Sequence, residues 1–95
     1  MDNFEKEKIM GYNGWKNKNT WNVSLWINND EGLYRMAVDH VKKRGHLFGA
    51  YKSFVRETGL DSQATPDGAD YYSEDLDWKA LDEMMLELVT WESYK

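Results

Sequence analysis

Residues 19–34 decide the fold, and they read NTWNVSLWINNDEGLY. Two tryptophans and several other large apolar residues are crowded between Thr20 and Asp30, both of which are typical first residues of a helix. Large aromatic side chains bury the most area per residue, so this crowding predicts the centre of a small hydrophobic core. The stretch does not look like an active site.

The backbone conformation of residues 21–27 is open to two interpretations. Every second residue from Trp21 to Ile27 is apolar, as in a strand, whereas Trp21 and Leu25 have the i, i+4 spacing of a helix. A lone strand leaves its backbone groups unpaired, and the chain has no second convincing alternating run. We therefore predict a helix with Thr20 as its N-cap. If the segment were a strand, its partner would be a second copy of the chain.

Apolar stripes and end signals predict three further helices. Asp30 starts the second helix and Gly45 closes it. A third helix has its apolar positions within residues 47–55 and ends at Gly59. Asp77 starts the last helix, whose predicted buried stripe consists of Trp78, Leu81, Met84, Met85, Leu88 and Trp91.

Residues 61–70 are mostly small and polar, and they include Pro66, the single proline of the chain, within a turn. This segment is the longest expected loop. Residues 1–12 show no steady period and are expected to form a loosely ordered lead-in. The sequence thus predicts an all-α fold. The chain of residues 1–95 is expected to form one domain, a compact bundle of about four short helices with an aromatic core.

The composition predicts a soluble cytoplasmic protein. No apolar run approaches the roughly 18 residues of a membrane span, and residues 1–10 lack the apolar segment of a secretion signal. The absence of cysteine excludes a disulfide framework, a thiolate zinc site and a thiol nucleophile.

Charge is divided unevenly along the chain. Residues 1–60 contain ten basic and seven acidic residues, a net charge of +3, and residues 61–95 contain two and ten, a net charge of −8. The overall charge of −5 makes the chain a poor general binder of nucleic acid. One basic cluster could still contact phosphates: Lys42, Lys43, Arg44, Lys52 and Arg56. The acidic last helix could instead imitate DNA.

Catalysis and metal binding have little support in the sequence. His40 and His46 fall on different elements, without the spacing of a zinc helix. Asp82 and Glu83 are predicted to face solvent, where nothing adjusts a carboxylate for proton transfer. The acids in and after the long loop lack calcium-loop spacing and are expected to be solvated: Asp61, Asp67, Asp70 and Glu74. We expect no catalytic residue, metal or cofactor.

Core packing is the expected role of the tryptophans on predicted helices, Trp21, Trp26, Trp78 and Trp91. Two other residues are candidates for contact with a partner. Trp15 lies in a loop, and Leu86 falls among the polar positions of the last helix.

Several short motifs resemble those of a known family: N-G-W at 13–15, T-W-N-V at 20–23, L-W-I at 25–27 and N-D-E-G-L-Y at 29–34. They are similar to small uncharacterised proteins of tailed phages, cyanophages among them, and of some bacteria. That family reads N-G-W, a short spacer, then T-W-N-V-x-L-W-I-x-N-D-E-x-L-Y. Asp77-Trp78 resembles a second, weaker part of its pattern. The resemblance implies a phage or prophage setting and supplies no catalytic residue.

Together these observations predict a phage-type accessory protein that acts by protein–protein interaction in the host cytoplasm. A nucleic-acid-binding domain that uses the cluster from Lys42 to Arg56 is one alternative. An acidic DNA mimic that inhibits a host defence enzyme is another. The oligomeric state stays open.

Overall fold

A computed structural model describes residues 14–44 and 49–93, with side chains through residue 90. The predictions made for residues 1–13 and 45–48, and for the Trp91 side chain, lie outside this part of the chain. Within the described residues, four helices and one short 3-10 turn confirm the predicted all-α bundle. The elements are α1 (Lys18–Asn29), α2 (Glu31–Arg44), α3 (Ala50–Thr58), the 3-10 turn (Leu60–Ser62) and α4 (Trp78–Ser93).

The first helix begins earlier than predicted. Residues 21–27 are helical, so the strand alternative is wrong. Asn17, not Thr20, is the N-cap, because its side-chain oxygen accepts a hydrogen bond from the Thr20 amide at 2.9 Å. Both residue types suit this position. Thr20 instead lies inside α1 with no exposed surface, and its hydroxyl accepts a hydrogen bond from the Asp77 amide at 3.0 Å.

The other end signals are confirmed where the structure describes them. Asp30 Oδ1 accepts a hydrogen bond from the Leu33 amide at 3.0 Å, and Asp77 Oδ1 accepts one from the Ala80 amide at 3.2 Å. Gly59 ends α3 with φ of 82°, a left-handed conformation that costs glycine little. Local capping chemistry was therefore sufficient to place three of the predicted helix ends.

The core is aromatic, as predicted, but its fully buried rings are Tyr51 and Phe54. Trp21 and Trp26 are only half-buried, so the prediction that they fill the core is wrong. The inner stripe of α1 has helical spacing and includes two small polar residues: Thr20, Val23, Ser24 and Ile27. The core closes around side chains from all four helices, the largest being Tyr51, Phe54, Ile27, Leu81 and Met85.

Residues 59–77 connect α3 to α4, and we call them the connecting arm. Within the arm an antiparallel bridge between Ala64 and Asp70 closes a turn, in which the Gly68 amide donates to the Thr65 carbonyl at 2.8 Å. Ala69, Tyr71 and Leu76 are buried, so the arm covers the core between the helices. The predicted long polar loop is therefore an ordered part of the fold.

Candidate functional site

A network of polar side chains joins α1 to the connecting arm. Asn22 is 3% exposed; its side-chain oxygen accepts from the Thr65 hydroxyl at 2.6 Å, and its Nδ2 donates to Asp67 Oδ2 at 2.9 Å. Trp26 Nε1 donates to the same Asp67 oxygen at 2.9 Å. A buried amide is stable only when its hydrogen-bonding groups have partners. The arm supplies those partners to Asn22.

A second set of hydrogen bonds fixes the start of α1 against the end of the arm. Asn17 Nδ2 donates to the Asp75 carbonyl at 2.6 Å, and Asn19 Nδ2 donates to Asp75 Oδ2 at 2.8 Å. Hydrogen bonds from Ser73 and Asn19 hold the pKa of Asp75 below its ordinary value. Polar residues of the stretch that decides the fold therefore have a structural role here.

Asp67 differs from the solvated loop acid that the sequence predicted. Its carboxylate is exposed, yet hydrogen bonds from Asn22 and Trp26 hold its pKa below the ordinary value of 3.8. Asp61, Asp70 and Glu74 are exposed, as expected of solvated acids. Across residues 14–44 and 49–93, no three His, Asp or Glu side chains converge on a metal-sized site.

Acid should weaken the link between α1 and the arm. The unfolded chain binds a proton at Asp67 more readily than the folded chain, because the pKa of Asp67 is lower in the folded state. The contribution of this carboxylate to folding stability is therefore present above about pH 4, and it is lost as the pH falls through the folded-state pKa. We expect Asp67→Asn to flatten the dependence of Tm on pH between about pH 5 and 3, measured by circular dichroism. Asp61→Asn, at an exposed acid of the same arm, is the matched control. If the slope of Tm against pH in Asp67→Asn equalled that of wild type, Asp67 would not be the source of the acid sensitivity.

Asp82 was predicted to face solvent, and this prediction is wrong. Its two carboxylate oxygens accept hydrogen bonds from the Gly49 and Tyr51 amides at 3.0 and 2.8 Å. Gly49 begins α3 in a left-handed conformation and has no side chain to cap the helix, so α4 supplies the cap. One carboxylate of the acidic last helix is thereby committed to the fold.

His40, Ser53 and Glu57 approach the arrangement of a nucleophile, a base and an acid. His40 Nε2 lies 3.0 Å from the Ser53 hydroxyl, whereas His40 Nδ1 lies 3.8 Å from Glu57, beyond hydrogen-bonding distance. Ser53 lies in the first turn of α3, and its own backbone amide donates to the Gly49 carbonyl at 2.9 Å, so this amide is not available to stabilise an oxyanion. Arg44 also binds Glu57. We interpret the cluster as a link between α2 and α3.

Burial lowers the pKa of His40, and the charge of Glu57 opposes this effect only in part. The His40 side chain is 9% exposed and meets the Phe54 ring edge-on, with 5.7 Å between ring centroids. A neutral imidazole beside a buried phenyl ring suits packing between two helices.

The predicted phosphate-binding cluster is largely engaged within the chain. Lys43 Nζ lies 3.1 Å from Asp39, Arg44 binds Glu57, and the Lys52 ammonium lies 6.0 Å from the centre of the Tyr72 ring. Lys42 and Arg56 are exposed. Neighbouring acids offset part of the positive charge that would attract phosphates.

Trp15 and Leu86, the predicted partner contacts, are half-buried and pack against the core. Leu86 therefore differs from a wholly exposed leucine. Contact of either side chain with another molecule stays a prediction.

An exposed aromatic patch was not singled out from the sequence. It consists of Tyr72, Trp78 and Lys52, and we call it the aromatic patch. Tyr72 is 41% exposed, and its ring lies 5.1 Å from that of Trp78, which lies 5.6 Å from that of buried Tyr51. The Tyr51 hydroxyl donates to the Tyr71 carbonyl at 2.5 Å, and burial raises its pKa. Tilted ring contacts thus connect the surface to the core.

These features define a small helical protein whose bundle is completed by a hydrogen-bonded arm. The chain belongs to a family of unknown function, DUF7249, whose sequence model matches residues 8–94. No curated protein and no solved structure matches the chain. In the described residues, no helix is both long enough and apolar enough to cross a membrane.

Proposed function

We propose that this protein is a non-catalytic accessory protein of phage type that binds another protein through the aromatic patch. The observation that carries the proposal is the exposed Tyr72 ring, whose centroid lies 5.1 Å from that of Trp78 with the two ring planes inclined at 58°. The phage setting and the host cytoplasm are supported by the resemblance of residues 13–34 alone.

The contact with Trp78 prepares the Tyr72 ring for binding. A ring already held in place loses little conformational freedom when a partner covers it, so more of the contact energy contributes to affinity. Tyrosine and tryptophan are enriched among the residues that dominate binding energy at protein interfaces. Buried Tyr51 contacts the other side of this ring cluster, because its ring lies 5.6 Å from that of Trp78.

The charge beside the patch indicates the chemistry of the partner. Lys52 and Arg56 are exposed and lie one turn apart on α3, so they form a local positive edge on a chain with a net charge of −5. This edge is complementary to acidic side chains on the partner. The proposed partner therefore presents an apolar side chain flanked by acidic residues.

We expect Tyr72→Ala to weaken partner binding by about thirtyfold or more, equivalent to about 2 kcal/mol for a central aromatic contact. The partner is first captured from host lysate with the wild-type protein, then purified and titrated by calorimetry against each variant. Lys52→Glu should also weaken binding and reduce its salt dependence.

Met36→Ala is the matched control, because Met36 on α2 is 43% exposed, close to the value for Tyr72. It should bind like wild type, and circular dichroism should show that all variants are folded. Equal affinities of wild type and Tyr72→Ala would rule out the aromatic patch as the binding surface.

Two alternatives have less support from the geometry. Nucleic-acid binding would use Lys42, Lys43, Arg44, Lys52 and Arg56. Lys43 and Arg44 already pair with Asp39 and Glu57, which offsets part of the positive charge of this cluster. DNA mimicry would use the carboxylates of α4, but the Asp82 carboxylate caps α3 and is not free to imitate a phosphate. Within residues 78–90, the exposed carboxylates of α4 are those of Glu83 and Glu87.

A further inference from the structure

The outer face of α2 carries regularly spaced charges. Glu31, Arg35, Asp39 and Lys43 follow one another at intervals of four residues, so they form one row along the helix. Their side chains are between 62% and 77% exposed. We call these four residues the charged row.

Apolar surface lies beside the charged row. Met36 is 43% exposed, and half-buried Tyr34 lies nearby on the same helix. Both line an open groove of about 850 Å³ between α2 and the end of α1, the other lining residues being Asn28, Asn29, Glu31, Arg35, Val38, Asp39 and Lys42. Methionine is adaptable and is frequent in binding surfaces.

The order of charges is complementary to itself when reversed. Along α2 the row reads acid, base, acid, base, and in the opposite direction it reads base, acid, base, acid. A second α2 helix packed antiparallel would place Glu31 opposite Lys43 and Arg35 opposite Asp39, with both pairs occurring twice. A parallel helix in the same register would place like charges opposite each other, which is unfavourable.

We propose that this face binds a second copy of the chain, with the two α2 helices antiparallel across a two-fold axis that lies at the level of Ala37 along the helix, although the Ala37 side chain itself is buried. Such an axis makes the contact isologous, since the same surface is used by both copies. Met36 lies one residue along α2 from the level of the axis and borders the charged row, so the two-fold axis places both Met36 side chains on the same flank of the contact. This surface is separate from the aromatic patch, so the inference does not depend on the proposed function.

The existing ion pairs do not prevent this association. Arg35 bonds to Glu31 at 2.9 Å and Lys43 to Asp39 at 3.1 Å within the helix. Exposed pairs of this kind contribute a few tenths of a kcal/mol, and the same charges can pair between two chains at small cost. The contact spans 14 residues, about 21 Å of helix, and is mostly polar. It is therefore a weak, salt-sensitive dimer.

Charge exchange tests the antiparallel register directly. Arg35→Asp places two acids opposite each other in a homodimer, and Asp39→Arg places two bases opposite each other, so each variant alone should stay monomeric. An equimolar mixture should restore association, because the two variants are complementary. Sedimentation equilibrium at low salt measures the mass, which for the monomer is 11.2 kDa. Wild type should approach twice this mass at high protein concentration and lose association in high salt.

Lys79→Glu is the matched control, since it reverses the charge of an exposed lysine on α4 and should associate like wild type. Were either exchange variant to lose its helical circular dichroism signal, Glu31→Lys and Lys43→Glu would give the same test with the outer pair. The proposal fails if wild type remains monomeric at millimolar concentration in low salt. It also fails if folded exchange variants dimerise alone, or if mixing them restores nothing.

Discussion

Replacing Asn22 with alanine should lower the free energy of unfolding by about 2–4 kcal/mol. The substitution removes the acceptor of the buried Thr65 hydroxyl and one of the two side-chain donors to the Asp67 carboxylate. Loss of a hydrogen bond to a charged group is more costly than loss of a neutral one. Urea unfolding followed by circular dichroism would measure the change.

Asn29→Ala is the matched control for this prediction. Asn29 is an exposed asparagine at the end of the same helix, so its replacement should change stability by no more than about 0.5 kcal/mol. If Asn22→Ala were as stable as Asn29→Ala, the hydrogen bonds between α1 and the arm would contribute nothing to the fold.

Replacing Phe54 with alanine should cost about 3–5 kcal/mol, the largest loss expected from a single substitution here. Phe54 has no exposed surface, and the missing ring leaves a cavity between α3 and its neighbours. Phe54→Leu keeps most of the apolar volume and should lose only about 1–2 kcal/mol. Both values come from the same urea unfolding measurement.

The same variant offers a second readout at His40. Burial against Phe54 is part of what keeps the pKa of His40 below its ordinary value of 6.5. Water that enters the cavity in Phe54→Ala should raise this pKa toward 6.5, as an NMR titration of the imidazole would show. Equal stability of Phe54→Ala and Phe54→Leu would mean that the surrounding helices collapse into the space.

The sequence predicted the elements whose signals are local. Asp30 and Asp77 each precede an apolar stripe, and Gly59 follows one, so the capping residue and the pattern of the same segment agree. The start of α1 was misplaced because Asn17 and Thr20 are both good caps three residues apart. Nothing local distinguishes them. Only the contact of the Thr20 hydroxyl with Asp77 does so.

Features that depend on distant residues could not be predicted in the same way. Asn22 is buried because the arm, 43 residues further along the chain, supplies a partner for its amide. Asp82 leaves solvent because Gly49 cannot cap its own helix. Hydrophobic periodicity assigns such polar residues to the surface, since it contains no information about tertiary hydrogen bonds.

The aromatic patch illustrates the limit for surface sites. Tyr72 has no unusual spacing in the sequence, and its importance comes from Trp78 and Lys52, which the fold brings beside it. The basic cluster shows the reverse case. Its five basic residues predict a positive surface from the sequence alone. In the folded protein, however, Asp39 pairs with Lys43 and Glu57 pairs with Arg44.

The polar link between α1 and the connecting arm also bears on how genetic variants would act in a cell. A loss of 2 kcal/mol raises the unfolded population about thirtyfold, and proteases and chaperones remove or retain that population. Substitutions at Thr20, Asn22 or Thr65 would therefore reduce the steady-state abundance of the protein while every surface residue remained unchanged. Selection on these buried polar positions would preserve the amount of protein that a cell maintains.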